Sequence, residues 1–118
     1  MPPKSPGSWS RVGTLTLRRQ YIVERNADVY RVSSATPRQA EFGQLIEGSV
    51  VRYLAKALSG QAVWVEDADK ALRKSGLKLP YQYGHKLHFF AQSALVVLVA
   101  SGQASHRSVG ARIEYDIA

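Results

Sequence analysis

Apolar positions recur with helical spacing most densely between His85 and Gly102, in the stretch HKLHFFAQSALVVLVASG. Leu87, Phe90, Ala91, Ala94, Leu95 and Leu98 fall at i, i+3, i+4, i+7, i+8 and i+11, which is one face of an α-helix. Val96, Val97 and Val99 fill much of the remaining surface. A helix apolar on most sides is normally a central one, and Gly102 supplies the left-handed position that ends it. The same valines favour β-structure, so a strand over Ala94–Ala100 competes with the helix. The run is shorter than the ~20 apolar residues that span a bilayer. It therefore belongs to the core, or to half of a subunit interface.

The rest of the chain divides by the same reading. In TLTLRRQYIVE, Leu15, Leu17, Arg19, Tyr21 and Val23 alternate with Thr14, Thr16, Arg18, Gln20 and Ile22, which predicts a strand. Glu24–Asp28 is the turn, and DVYRVSS is a second strand. Arg18 and Arg19 would point to opposite faces, so one of them interrupts the buried face: the strand end leaves the core there, or that arginine holds an anion. Thr36, Pro37 and Gln39 form an N-cap, a first helical position and a capping box. They open a predicted helix that runs to about Leu58 and lines up Phe42, Ile46, Val50, Tyr53, Leu54 and Ala57, with Gly60 past its end. Gly43 and Gly48 inside it each cost roughly 1 kcal/mol against alanine, which points to close packing on another backbone. Arg38, Arg52 and Lys56 project within about 40° of one another, an ordinary solvated face or a basic ridge.

QAVWV is a short strand or the start of the next helix. Glu66–Ser75 is a second helix, with acids at its start, Arg73 and Lys74 at its end, and Gly76 to stop it. Glu66–Lys70 and Asp69–Arg73 are favourable i,i+4 pairs, and Trp64 and Leu72 are core anchors. LKLPYQYG is a loop broken by Pro80. After the central helix, QASHRSVG is polar. ARIEYDI alternates Ile113, Tyr115 and Ile117 with Arg112, Glu114 and Asp116, a half-buried strand expected to join the N-terminal hairpin.

The element order is β-β-α-(β)-α-α-β. It predicts an α+β fold in which about three helices pack on one small antiparallel sheet, the N-terminal hairpin plus the C-terminal strand. Residues 1–12, rich in Pro, Ser and Gly, are expected to form a flexible tail, with Trp9 docking on this chain or a partner. Residues 13–118 form a single domain. The order from the first helix onward resembles a winged helix-turn-helix, with Glu66–Ser75 and the following helix as the pair and Ser105–Ile117 as the wing. A recognition helix needs a polar outer face, however, and His85–Ala100 is too apolar to lie freely in a groove.

Charge adds a direction. The 118 residues carry a net +7, and the excess is not evenly spread. Residues 1–38 carry +5, residues 39–69 carry −3, residues 70–86 carry +5, and the remainder balance. Clustered positive charge is the footprint of an anionic partner, most often nucleic acid. In the second block, Lys70, Arg73, Lys74, Lys78 and Lys86 interleave with Tyr81 and Tyr83, so cations could hold phosphates while the tyrosines stack on bases. Arg18 and Arg19 extend the candidate set from the first block.

Other chemistry has little to stand on. Cysteine is absent, which excludes disulfides and thiolate ligands. His85 and His88 share a helical edge, but His106 is the only other histidine and no carboxylate adjoins them, so no metal site is expected. No nucleophile elbow and no phosphate-cradling glycine pattern is present. The start of the chain has no apolar signal segment, so an intracellular, non-secreted protein is expected.

The sequence therefore predicts a small, basic, non-enzymatic nucleic-acid-binding protein, for DNA or RNA, acting through residues 11–38 and 70–86. The alternative is an oligomeric assembly subunit with an N-terminal arm, whose copies meet along the apolar helix 85–101. No cofactor, membrane or small-molecule substrate is indicated.

Overall fold

The computed structural model describes residues 9–17, 19–34, 44–79 and 85–118, without the side chains of His85 and Lys86. The chain opens with strands β1 (Ser10–Thr16), β2 (Gln20–Asn26), β3 (Val29–Ser34) and β4 (Gln44–Glu47). It continues through α1 (Gly48–Ala57), β5 (Ala62–Val63), α2 (Val65–Arg73) and α3 (His85–Ala100), and closes with β6 (Ala104–Val109) and β7 (Arg112–Ile117). The α+β class and the three helices are as expected. The strands, however, form two antiparallel sheets, a meander β1-β2-β3-β4 and a three-stranded sheet β5-β7-β6.

The C-terminal strand therefore does not join the N-terminal hairpin. It pairs with β6, which the two-residue turn Gly110–Ala111 places beside it, and with β5. Gly110 has φ +62°, which suits the first central position of such a turn. Closing a two-residue loop costs far less chain entropy than closing one of about ninety residues. The polar stretch Gln103–Gly110 contains this strand, hidden in the sequence because its alternation has no apolar partner: Ser105–Val109 are all exposed.

The expected single strand TLTLRRQYIVE is a hairpin. Thr16 pairs with Gln20 and Leu15 with Tyr21. The reversal at residues 17–19 keeps the alternation in phase, since Leu15 and Tyr21 are an even number apart and face the same side. It also frees the buried face from a cation: Arg19 is exposed at the turn. β1 carries a register shift between Arg11 and Gly13, and a Cβ on Gly13 would lie 3.0 Å from the Ala100 carbonyl oxygen. A side chain there would press the strand away from the end of α3. Ser10–Val12, expected in the tail, belong to β1. Trp9 docks on its own chain, with the Arg31 guanidinium 4.4 Å from its ring centroid.

Of the predicted helix from Thr36 to Leu58, the described part begins at Gln44 and is helical from Gly48. Its proposed cap at Thr36, Pro37 and Gln39 lies outside the described residues, as do Arg38, Phe42 and Gly43. Gln44–Glu47 pairs instead with β3, Tyr30 opposite Ile46. Ile46 is buried and Leu45 exposed, the alternation of a strand. Ile46, Val50 and Leu54 would be buried under either assignment, so the helical period could not place the start. Gly48 meets a side chain rather than another backbone: a Cβ there would fall 1.9 Å from Asp28 Oδ1.

α2 begins where Trp64 N–H donates to Asp67 Oδ2 at 2.8 Å, and Gly76, at φ +73°, follows its end. Over residues 94–100 the helix prevails against the strand. Leu87, Ala91, Ala94, Leu95, Val96, Val97 and Leu98 are all fully buried, because α3 packs on α1, α2, the four strands of the meander and β6. Enclosure on every side turns its β-branched residues from a helix liability into packing surface. Its end is a Schellman motif, with Gln103 N–H on Leu98 O (2.8 Å) and Gly102 N–H on Val99 O (3.1 Å). The run α1-β5-α2-α3-β6-β7 has the element order of the winged resemblance. The meander covers α3, however, so this helix is not free to enter a groove.

Two outcomes test this account. Leu95→Ala should destabilise the chain by about 2–5 kcal/mol in urea denaturation, since the enclosing sheets and helices cannot collapse onto the cavity. Ala27, at the β2–β3 turn, holds φ +53°. Ala27→Gly should therefore raise stability by about 1 kcal/mol, and a loss would refute strain at that turn.

Candidate functional site

The predicted basic block divides. Lys70, Arg73 and Lys74 stand exposed at the C-terminal end of α2, opposite the buried Ala68 and Leu72. Lys78 follows beyond Gly76 and edges a groove of about 500 Å³ shared with Leu45, Leu79 and Phe90. Arg73 Nε donates to Asp69 Oδ1 at 2.6 Å, one of the two i,i+4 pairs expected. The other does not form: Glu66 pairs with Arg112 of β7. Arg18, Tyr81 and Tyr83 lie outside the described residues, as does the side chain of Lys86.

Among the described residues the ion pairs are all made by arginines, although Arg11, Arg19 and Arg25 join none. Arg31–Glu24, Arg52–Asp28, Arg73–Asp69, Arg107–Glu114 and Arg112–Glu66 are all arginine pairs. Among the described residues no lysine joins one. Arginine's planar fork meets carboxylates bidentately, as Arg52 does on Asp28 at 2.7 and 2.9 Å. That hydrogen bonding holds the Asp28 carboxyl below the ordinary carboxylate range. The supposed ridge of Arg38, Arg52 and Lys56 thus has its middle member turned onto the β2–β3 turn.

Arg19 stands apart from the other candidates. It lines a cleft of about 450 Å³ between the β1–β2 turn, the first half of α3 and β7. This cleft adjoins Val65 and Glu66, at the opposite end of α2 from Lys74, about 12 Å away along the helix axis. Its walls combine Leu17, Phe89 and Ile113 with Arg19, Arg112 and Gln92. Arg112 also stacks on Trp64, 4.4 Å from the ring centroid, so Trp64 is a half-buried platform rather than a core anchor. Phe89 is 57% exposed and meets His88 edge-on, ring centroids 5.9 Å apart. Tyr115 forms part of the wall with only 1% of its surface exposed. Arg19 is the only one of these residues legible as a candidate in the sequence, because the walls come from four separate segments that share no motif.

Among the described residues no three His, Cys, Asp or Glu side chains cluster at ligating distance. No described helix is long and apolar enough to cross a membrane. No protein-family model, curated protein or solved structure matches the chain.

Burial pushes the Tyr115 phenol up to about 12, with the neighbouring Tyr21 adding to the effect. An unfolded tyrosine ionises near 10. The unfolded state thus loses its proton first as pH rises. The stabilisation is fully present below about pH 10 and is lost as pH climbs toward 12. Urea midpoints of the wild type should fall across that window, and Tyr115→Phe should flatten the fall. An unchanged alkaline slope in the variant would refute the assignment.

Proposed function

We propose that this protein is a non-enzymatic nucleic-acid-binding module that holds the phosphate backbone through the C-terminal end of α2 and the segment after it. One observation carries the reading. Lys70, Lys74 and Lys78 are exposed and form no ion pair with a described carboxylate, while the paired arginines are committed to Glu24, Asp28, Glu66, Asp69 and Glu114. Exposed ammonium groups are strongly hydrated point charges. They attract phosphates without reading bases. Arg73 shares this surface, and Lys86, Tyr81 and Tyr83 follow it in sequence. With α3 enclosed, the reading calls for little sequence preference. It also implies an intracellular location.

Affinity should fall steeply with salt for single- or double-stranded DNA or RNA. The triple change Lys70→Gln, Lys74→Gln, Lys78→Gln should reduce the log–log salt slope by about 2–3, because each phosphate contact accounts for about 0.9. Fluorescence anisotropy at a series of salt concentrations measures both. Undetectable binding at low salt, or a slope the triple variant leaves intact, would remove the reading.

A second reading, an assembly subunit, is favoured by a different feature. Leu45 is 56% exposed on the edge strand β4, beside a groove walled by Val29, Val50, Leu79 and Phe90. A second copy would then meet the chain at β4 rather than along α3, whose apolar surface the meander already covers. Sedimentation at high concentration decides it: a dimer disrupted by Leu45→Glu supports it, and a monomer sets it aside.

A further inference from the structure

We propose that the cleft between the β1–β2 turn and β7 binds a small amphipathic molecule carrying a single carboxylate. The first ground is a set of polar side chains that line one space and are not committed to one another. Tyr115 is 1% exposed, and its side chain lines the cleft. Its hydroxyl makes no hydrogen bond to any described residue, and neither do the Arg19 guanidinium and the Gln92 amide. Here the phenol of a buried ring, an amide and a guanidinium line one space. A phenol is protonated at neutral pH and can donate.

The second ground is charge. Arg112 is neutralised by Glu66. Arg19 then leaves the described walls with a formal charge of +1, counting histidine as neutral. That matches a monoanion and not a phosphate monoester dianion. A guanidinium takes a carboxylate through two parallel N–H donors, and a phenol can add a third bond. The third ground is the apolar part of the wall. Leu17, Phe89 and Ile113 give a hydrocarbon or aromatic body a dry surface. Phe89, exposed at the rim, would be covered by such a body. A volume of about 450 Å³ falls within the range of small-molecule sites, about 300–1,000 Å³.

This inference is independent of the nucleic-acid reading. The cleft lies at the other end of α2 from the lysines, and its test contains no nucleic acid. The probe is 2-naphthylacetate, titrated into the full chain by calorimetry. Saturable one-to-one binding is expected, with 2-naphthylacetamide and 2-naphthyl phosphate each at least about tenfold weaker. Arg19→Gln, a change at an exposed turn residue, should weaken the carboxylate at least about tenfold, as expected for a bond to a charged group. Tyr115→Phe keeps the ring packed and should weaken it several-fold, with circular dichroism unchanged in both variants. No saturation at millimolar probe would overturn the proposal. So would equal affinity for the amide, tighter binding of the phosphate, or carboxylate affinity unchanged in both variants.

Discussion

The fold depends on enclosing α3. A sixteen-residue helix with eight fully or almost fully buried side chains cannot rest on one sheet, because a single layer covers only one stripe of a helix. Two sheets and two helices are required, and the order of the chain follows from that requirement. The meander covers one side, and α1 and α2 cover another. β6 packs near the C-terminal end, where Gly13 lets β1 approach as well. One continuous core runs from Leu15 and Val23 of the meander through α3 to Tyr115 and Ile117 of the small sheet.

That enclosure also shapes where chemistry can occur. With the middle of α3 removed from solvent, the described surfaces that carry candidate chemistry are the end of α2, the exposed edge of β4 and the cleft beside His88, Phe89 and Gln92. The electrostatics follow a similar division. Arginines fix local geometry: Arg52 ties the β2–β3 turn to α1, and Arg112 ties β7 to α2. Lysines stay in water, where they set the long-range field. A net charge of +7 is therefore not a uniform property of the surface. It is concentrated in groups that no carboxylate in the described structure claims.

Much of the architecture was legible in local pattern. The i, i+3, i+4 series of α3, the polarity and stop signal of α2, the half-buried alternation of β7 and the glycines after α2 and α3 each rest on interactions within a few residues. What could not be read falls into two kinds. Some elements bury the same residues under either assignment, as Ile46, Val50 and Leu54 do, so periodicity does not distinguish strand β4 from a longer helix. Others lack apolar contrast altogether, as in β6, where exposure on both faces leaves nothing to alternate. For the sites, the lysines were visible because charge is a property of composition. The cleft was not, because Arg19, Gln92 and Tyr115 have no sequence relation that would bring them together.

The sequence by itself determined that His85–Gly102 is the most apolar stretch and carries a helical face, that the class is α+β and that positive charge gathers in two blocks. Those follow from side-chain type and short-range spacing, which are written in the chain directly. Tertiary structure alone decided that the strands split into two sheets and that α3 is covered from within. It also decided that Arg19 lines one cleft with Tyr115, away from the lysines of α2. Each of these depends on which distant segments meet, a choice set by loop-closure entropy and by the need to cover one apolar helix on every side.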